Sequence, residues 1–315
     1  MLYVNLKGIE VKHFPDNTQC LLDFKVPVAV QIFSGVHQLE IIWRYENDEE
    51  CMTLFYIVNH IKEKDPSVRI TLTMLYVPNG RMDRTKDNSE VFTLKYFCKF
   101  INGLGFYGVR IMDPHSNVTP ALLDRVEIVD VEPVIAKAIK KILYDDTDYD
   151  IDDQDFYIFF PDYGAKKRYE DMKCFSKHPI IYANKKRDWK TGEILGLEIL
   201  DRNGNTLRSL VACDCETGGL GGDDITFVKE EKPLEGKTVL MIDDIISYGG
   251  TMYYGAKKLR ELGARDVFAY ATHCENSLLN YEKGKLINSL EDGDVTRLYT
   301  TTTLFSGKHE KITVL

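Results

Sequence analysis

VLMIDDIISYGGTMYYGAKKL, residues 239–259, decides how this chain folds. Thr238 to Ile242 is a solid apolar run of strand length. It delivers two adjacent carboxylates, Asp243 and Asp244, into a short loop, Ser247-Tyr248-Gly249-Gly250-Thr251. From Thr251 to Leu262 the apolar spacing becomes helical, and Val267 to Ala271 is again a buried strand. Strand, helix, strand in that order predicts a parallel α/β sheet with a right-handed crossover. The loop has the make-up of an anion cradle. Its glycines let backbone N–H groups turn inward, and the helix that follows presents its positive end to a phosphate. The two acids stand where a ribose diol or a phosphate-bound cation would lie; the plainer reading is a loop with solvated acids.

The pattern repeats upstream. Leu104-Gly105, Val109 and His115 are spaced as Leu262-Gly263, Val267 and His273 are. Each set reads as a helix, a glycine stop, a buried strand and a histidine at the strand's carboxyl end, which predicts two related domains. Other helices are expected at Asp48 to Lys64 (with Met52, Phe55 and Tyr56 at helical spacing), Glu90 to Leu104 and Glu132 to Leu143. Strands are expected at Arg69 to Val77, Tyr107 to Met112 and Phe156 to Phe160, with short strands and turns before residue 45. Leu197 to Ala212 reads as a hairpin turned at Asn203-Gly204-Asn205. Asp188 to Gly192 and Gly218 to Asp224 read as mobile segments. The acidic run DDTDYDIDDQD, 145–155, reads as a solvated linker, so the expected domains are 1–150 and 151–315. It lacks the glycine and closing glutamate of a calcium loop.

With 40 basic and 49 acidic residues the net charge is −9, which argues against a nucleic-acid partner. No apolar run approaches the ~18 residues of a membrane span, and the N-terminus has no signal-peptide pattern. The seven cysteines are scattered without zinc spacing, which points to reduced thiols and a cytoplasmic setting.

The 239–259 stretch resembles the phosphoribosyl-diphosphate motif of type I phosphoribosyltransferases and ribose-phosphate pyrophosphokinases. Further stretches favour the second family. Tyr76 to His115, with Arg81-Met82-Asp83-Arg84 near one end and Asp113-Pro114-His115 at the other, is similar to that family's Arg-Gln-Asp to Asp-Leu-His segment. Pro161-Asp162-Tyr163-Gly164-Ala165-Lys166-Lys167-Arg168 resembles its Pro-Asp-x-Gly stretch, Lys185-Lys186-Arg187 its catalytic-loop cations, and Phe33-Ser34-Gly35 the start of its adenine hairpin.

The resemblance implies two doubly wound α/β domains of the type I phosphoribosyltransferase fold. It also implies an ATP-dependent diphosphotransferase that needs Mg2+ and assembles as a homo-oligomer. It assigns ATP to Phe33, Gly35, His37, Arg81, Asp83 and Arg84 in the first domain, and the metal to Asp113, His115 and Asp162. The ribosyl acceptor falls to Asp243, Asp244, Ser247, Tyr248, Gly249, Gly250 and Thr251. Lys185, Arg187 and His115 carry the catalytic roles. Taken alone, Arg81 and Arg84 read equally as exposed loop charges, His115 as a hydrogen-bonded interior histidine, Asp162 as a helix N-cap, and Lys185 with Arg187 as a solvated basic loop.

Departures from the pattern are specific. Met82 replaces glutamine, Gly35 and His37 stand at usual adenine-ligand positions, one strand after the hairpin is missing, and 197–235 is long. Ser247-Tyr248 replaces Asp-Thr in the loop around the 5-phosphate. An aromatic ring there suits a phosphate ester better than a free phosphate. ADP-ribose, converted to its 1-diphosphate in NAD resynthesis, is therefore the expected acceptor, with ribose 5-phosphate the alternative. A phosphoribosyltransferase, a non-catalytic regulatory relative and a general nucleotide-binding module are the other readings. The presence of Arg81 to His115 opposes the first of these, and the retention of Lys185 and Arg187 opposes the second.

Overall fold

Leu39, Ile41 and Trp43 alternate with less buried neighbours, and so do Ile70, Leu72 and Met74. Each run forms a strand with one aliphatic face. A computed structural model describes residues 1–22, 24–25, 30–31, 37–187, 194–207, 210–212 and 229–315. By contacts the chain forms two compact units, Met1–Val131 and Glu132–Leu315.

Unit 1 begins with short strands: β1 (Leu2–Val4), β2 (Lys7–Gly8), β3 (Lys12–His13), β4 (Gln19–Cys20) and β5 (Val30–Gln31). Then follow β6 (His37–Trp43), α1 (Glu49–Lys64), β7 (Arg69–Met74), α2 (Thr93–Gly103), β8 (Gly108–Met112), α3 (Val118–Leu122) and β9 (Val126–Val129). The sheet order is β2-β1-β6-β7-β8-β9, with β5 on β6; β6 to β9 run parallel, in register Leu39↔Ile70 and Leu72↔Val109. The buried stripe of α1 is Thr53, Leu54, Ile57, Val58 and Ile61, and Met52, Phe55 and Tyr56 lie exposed on its other side. Both sets have helical spacing; the continuous aliphatic one faces the sheet. Glu49 and Glu50 open this helix and Lys62 and Lys64 close it, matching its dipole.

Unit 2 contains α4 (Glu132–Tyr144), β10 (Phe156–Phe160), α5 (Tyr163–Tyr169), β11 (Ile180–Arg187), β12 (Ile194–Asp201), β13 (Leu210–Ala212), β14 (Lys229–Glu231) and β15 (Thr238–Ile246). It ends with α6 (Gly250–Glu261), β16 (Asp266–Cys274), α7 (Lys285–Asp292), β17 (Arg297–Thr300) and β18 (Ile312–Val314). The sheet order is β12-β11-β10-β15-β16-β17-β18, parallel except for β12. One face of β15 and β16 (Val239, Met241, Val267, Ala269) packs in one core with α6 and α7. A Cβ on Gly255 of α6 would stand 3.1 Å from the Phe159 ring, so glycine permits that approach.

Three sequence expectations change. The compact units divide ahead of α4, not within the acidic run, because Ile135, Ala138, Ile139 and Ile142 of α4 are buried and the helix packs on β16. The acidic run itself is tied to unit 2. Asp146 accepts from the Tyr299 hydroxyl and lies 3.1 Å from Arg297, and the Tyr149 hydroxyl lies 2.8 Å from that of Thr238. β15 also runs on to Ile246, so Asp243 and Asp244 are strand residues. The repeat's glycines behave alike, with Gly105 at φ +62° and Gly263 at φ +99°. Its histidines differ. His115 lies beyond β8, whereas His273 is inside β16, buried, and bonded through Nδ1 to Thr303 Oγ1 at 2.9 Å.

Cys20, Cys51, Cys98, Cys174 and Cys274 are free; Cys213 and Cys215, like 188–192 and 218–224, fall outside the described residues. Among the described residues no helix is long and apolar enough to cross a membrane.

Candidate active site

In a parallel sheet, ligands gather at the carboxyl ends of the strands. In unit 2 those ends deliver Asp162 after β10, Lys185 to Arg187 at the end of β11, and Asp243 onward from β15. Gly249 is the N-cap of α6 at φ +74°, a left-handed conformation that glycine adopts without strain. It is also pressed by α7: a Cβ there would stand 2.2 Å from Leu286 Cβ. The Tyr248 carbonyl accepts from the backbone N–H groups of Lys285 at 2.8 Å and Leu286 at 3.3 Å. The loop is thus locked from behind by α7, while Gly250 and Thr251 open α6 with no side-chain cap, leaving its first N–H groups for an anion. Tyr248 itself is 43% exposed.

The carboxylates have different jobs. Asp244 is 3% exposed, and its Oδ1 lies 2.8 Å from Arg168 Nη1 of α5. Burial alone would lower the Arg168 pKa, but the Asp244 charge and Tyr169 more than offset it and raise it. Asp243 is half-buried, and its Oδ1 accepts the Asp244 N–H at 2.9 Å. Loss of hydration, then repulsion from Asp244 and from Asp162, holds the Asp243 carboxyl well above the usual carboxylate range. Asp162 caps α5, its Oδ1 accepting from Ala165 N at 3.0 Å, so the capping role expected from sequence is real.

A carboxyl whose folded pKa is raised stabilises the fold when protonated. That contribution is lost as pH rises from the unfolded value near 3.8 through the folded one. Asp243→Asn is therefore expected to raise the melting temperature of the ligand-free protein at neutral pH by about 2–4 °C, on the order of 1 kcal/mol. The gain should vanish toward pH 4. A scanning-calorimetry series from pH 4 to 8 reads this, and a variant less stable at pH 7 would contradict it.

The cations Lys185 and Arg187 lie on strand rather than loop backbone. β11 pairs antiparallel with β12, with Lys185 opposite Leu197 and a register shift between Lys186 and Arg187.

In unit 1 the loop after β7, which carries Arg81, approaches the segment after β8 at Gly80 and His115. A Cβ on Gly80 would lie 3.7 Å from His115 Cβ. Asp113 is 4% exposed yet has φ +42°, a left-handed backbone uncommon for a non-glycine residue and frequent at functional sites. Asp83 lies 4.0 Å from Arg84, whose side chain is 91% exposed. His37 does not join this group. It opens β6 at the amino ends of the parallel strands, with Nδ1 2.9 Å from Asp65 Oδ2. Seven residues of strand, roughly 20 Å, separate it from the carboxyl ends. Phe33 and Gly35 lie outside the described residues.

Among the described residues no three His, Cys, Asp or Glu side chains converge as a ready cage for a metal. The hard oxygen donors present suit magnesium all the same, because it takes one or two carboxylates, waters and substrate phosphates. Arg168 was quoted in the sequence motif without a role; its partner Asp244 emerges only from the packing of α5 on β15.

No protein-family model matches the chain. A ribose-phosphate pyrophosphokinase of Saccharolobus solfataricus is 26% identical over 278 residues, covering 87% of this chain and 78% of that protein. One of Sulfurisphaera tokodaii is 27% identical over 306 residues, covering 96% and 87%. A crystal structure of phosphoribosylpyrophosphate synthetase from Mycobacterium smegmatis matches with a TM-score of 0.66 at 18% identity, covering 97% of this chain and 85% of the other, a likeness of fold.

Proposed function

The chain is a divergent member of the ribose-phosphate pyrophosphokinase family, an enzyme of diphosphotransferase type, and on that premise we propose the roles of its residues and its acceptor. Arg81, Asp83, Arg84 and His115 take ATP. Asp113 and His115 would hold the magnesium that comes with ATP, and Asp162 that of the acceptor; magnesium when bound offsets the charge of the phosphates. The first N–H groups of α6 and the 247–251 loop take the acceptor's 5-phosphate, and Asp243 accepts hydrogen bonds from its ribose hydroxyls. The anomeric hydroxyl attacks the β-phosphorus of ATP, the bond from that phosphorus to the α-phosphate oxygen breaks, and AMP leaves with release of one proton. Lys185 and Arg187 stabilise the charge that develops on the transferring group. Catalysis is then mainly positioning and charge stabilisation. A cytoplasmic, homo-oligomeric enzyme is part of the same reading.

The observation that carries the reading is the locked glycine loop at the head of α6 directly after a strand bearing Asp243 and Asp244. For the acceptor we favour ADP-ribose, with NAD resynthesis as the setting, because the Tyr248 ring stands exposed where the family has a small residue. An aromatic face beside a phosphate site can stack on a base, worth roughly 1–3 kcal/mol. Ribose 5-phosphate is the second reading, favoured by what the relatives' names say they act on.

With magnesium and ATP, the protein is expected to release AMP and not ADP, and to make a product heavier by one diphosphate. Stoichiometric ADP, or turnover undiminished by EDTA, would refute the diphosphotransfer. Offered equal ADP-ribose and ribose 5-phosphate, the enzyme is expected to favour the former in kcat/KM. A higher value for ribose 5-phosphate, unaltered in Tyr248→Thr, would show an ordinary ribose-phosphate pyrophosphokinase.

A further inference from the structure

Beyond the loop itself, α7 places a cation beside the phosphate cradle. Lys285 is the first residue of α7, and its backbone N–H is the nearer of the two bonded to the Tyr248 carbonyl. Its side chain runs past the start of α6: the Lys285 Cδ would lie 3.9 Å from a Cβ on Gly250. The ammonium then donates to the Tyr254 hydroxyl at 2.6 Å and lies 4.5 Å from the centre of that ring. Tyr254 is the fifth residue of α6 and 50% exposed. Helical Cα–Cβ bonds tilt toward the N-terminus, so its ring leans back toward the loop.

Around the ammonium the chemistry is of one kind. The Tyr253 and Tyr254 rings sit edge to face at 5.2 Å, and Lys257 caps Tyr253 from 4.6 Å. Among the described residues no carboxylate pairs with Lys285. An ammonium has three donors, and Tyr254 takes one. The others are left for an anion about one helical turn, roughly 5 Å, from the first amides of α6. That is the scale on which two linked phosphoryl groups extend. The first phosphate has the loop's own N–H groups, which leaves the ammonium for a second.

We infer that Lys285, anchored by Tyr254, binds the second phosphoryl group of an acceptor whose 5-phosphate is a diphosphate ester, and so sets the preference for such an ester over a free sugar phosphate. This rests on the acceptor reading above and gives it a residue that can be tested apart from Tyr248.

The test is calorimetric titration of the full-length protein, with magnesium present, using ADP-ribose and ribose 5-phosphate as the two probes. Lys285→Ala is expected to lower the ratio of the two affinities, ADP-ribose over ribose 5-phosphate, by about tenfold or more, because a charge-assisted hydrogen bond is lost. Lys285→Arg should keep most of the ratio, and Tyr254→Phe, which frees the ammonium from its anchor, should reduce it by a smaller factor. A ratio unchanged in Lys285→Ala overturns the inference while leaving an ADP-ribose preference of the wild type intact. Parallel loss of both affinities also overturns it, since Lys285 would then serve the common 5-phosphate. Wild-type protein that binds ribose 5-phosphate and ignores ADP-ribose overturns it together with the acceptor reading.

Discussion

The double variant Lys185→Ala, Arg187→Ala is expected to lose at least ~100-fold in kcat while its ATP dissociation constant stays within about threefold. The transferring group of a phosphoryl reaction gains little covalent help from a protein; the enzyme supplies position and fixed charge. A cation that meets the phosphates only as the reaction proceeds lowers the barrier without tightening the ground state. Lys185 and Arg187 are the cations we propose for such a role. They close β11 where the chain turns toward β12, at the carboxyl end of the parallel strands and on the same side of the sheet's length as Asp162 and the β15 acids. Backbone pairing holds them to the very last residue of β11, a strand that lies between β10 and β12 in the sheet. Single-turnover quench-flow gives the chemical step, and titration with a non-hydrolysable ATP analogue gives the affinity. A variant that no longer binds the nucleotide but turns over normally at saturation would make the hairpin a binding element and leave the charge stabilisation to other groups.

The parts of this molecule that sequence makes plain are those where local chemistry and tertiary packing ask for the same thing. Val239 to Ile242 is apolar on both faces because both are covered in a parallel sheet, and Gly105 and Gly263 end helices because each must turn left-handed. Sequence misleads where packing chooses between equal local options. In α1 the sets Met52, Phe55, Tyr56 and Leu54, Ile57, Val58 have the same spacing, and only the fold says which one meets the sheet. The acidic run after Tyr144 looks solvated until Tyr299 and Arg297 are seen to meet its Asp146, and its own Tyr149 to meet Thr238, all on elements far along the chain. α3 and β9 escaped because Pro120 breaks the helical pattern, although a first helical turn tolerates it, and because β9 exposes Glu127 and Ile128. The candidate site shows the same split. The loop after β15 was legible because glycines and a helix start are local. That His37 opens β6 while Arg81 and His115 follow the ends of β7 and β8 depends on strand direction, which no local spacing states.

Arg168→Ala is expected to cost about 3 kcal/mol of stability, the low end of what breaking a buried ion pair costs, because the guanidinium keeps some contact with solvent. In a unit of this size that is a fall of roughly 6–12 °C in melting temperature. The deficit belongs to Asp244. With Arg168 present, its carboxylate has a charged donor at 2.8 Å; without it, the charge is left in a place that is 3% exposed. Two consequences separate this from a simple loss of packing. Adding Asp244→Asn to Arg168→Ala should recover most of the stability, because it removes the buried charge that the guanidinium had offset, and the cycle of single and double variants should give a coupling of about 2 kcal/mol. The deficit should also shrink in acid. A buried Asp244 that has lost the guanidinium has its folded pKa raised relative to the wild type, so the penalty is full above the folded pKa and fades as pH falls toward the unfolded one. Urea unfolding at pH 5 and pH 8 measures both. A loss under about 1 kcal/mol, or a deficit indifferent to Asp244→Asn, would mean the pair contributes little. Function should follow the same line: Asp244 donates its backbone N–H to Asp243 Oδ1 at 2.9 Å, so on the proposed acceptor reading Arg168 is a positioning residue that acts on Asp243 by way of Asp244. Arg168→Lys, which keeps the charge and loses the planar fork, should restore stability in part and raise the acceptor's KM more than it lowers kcat.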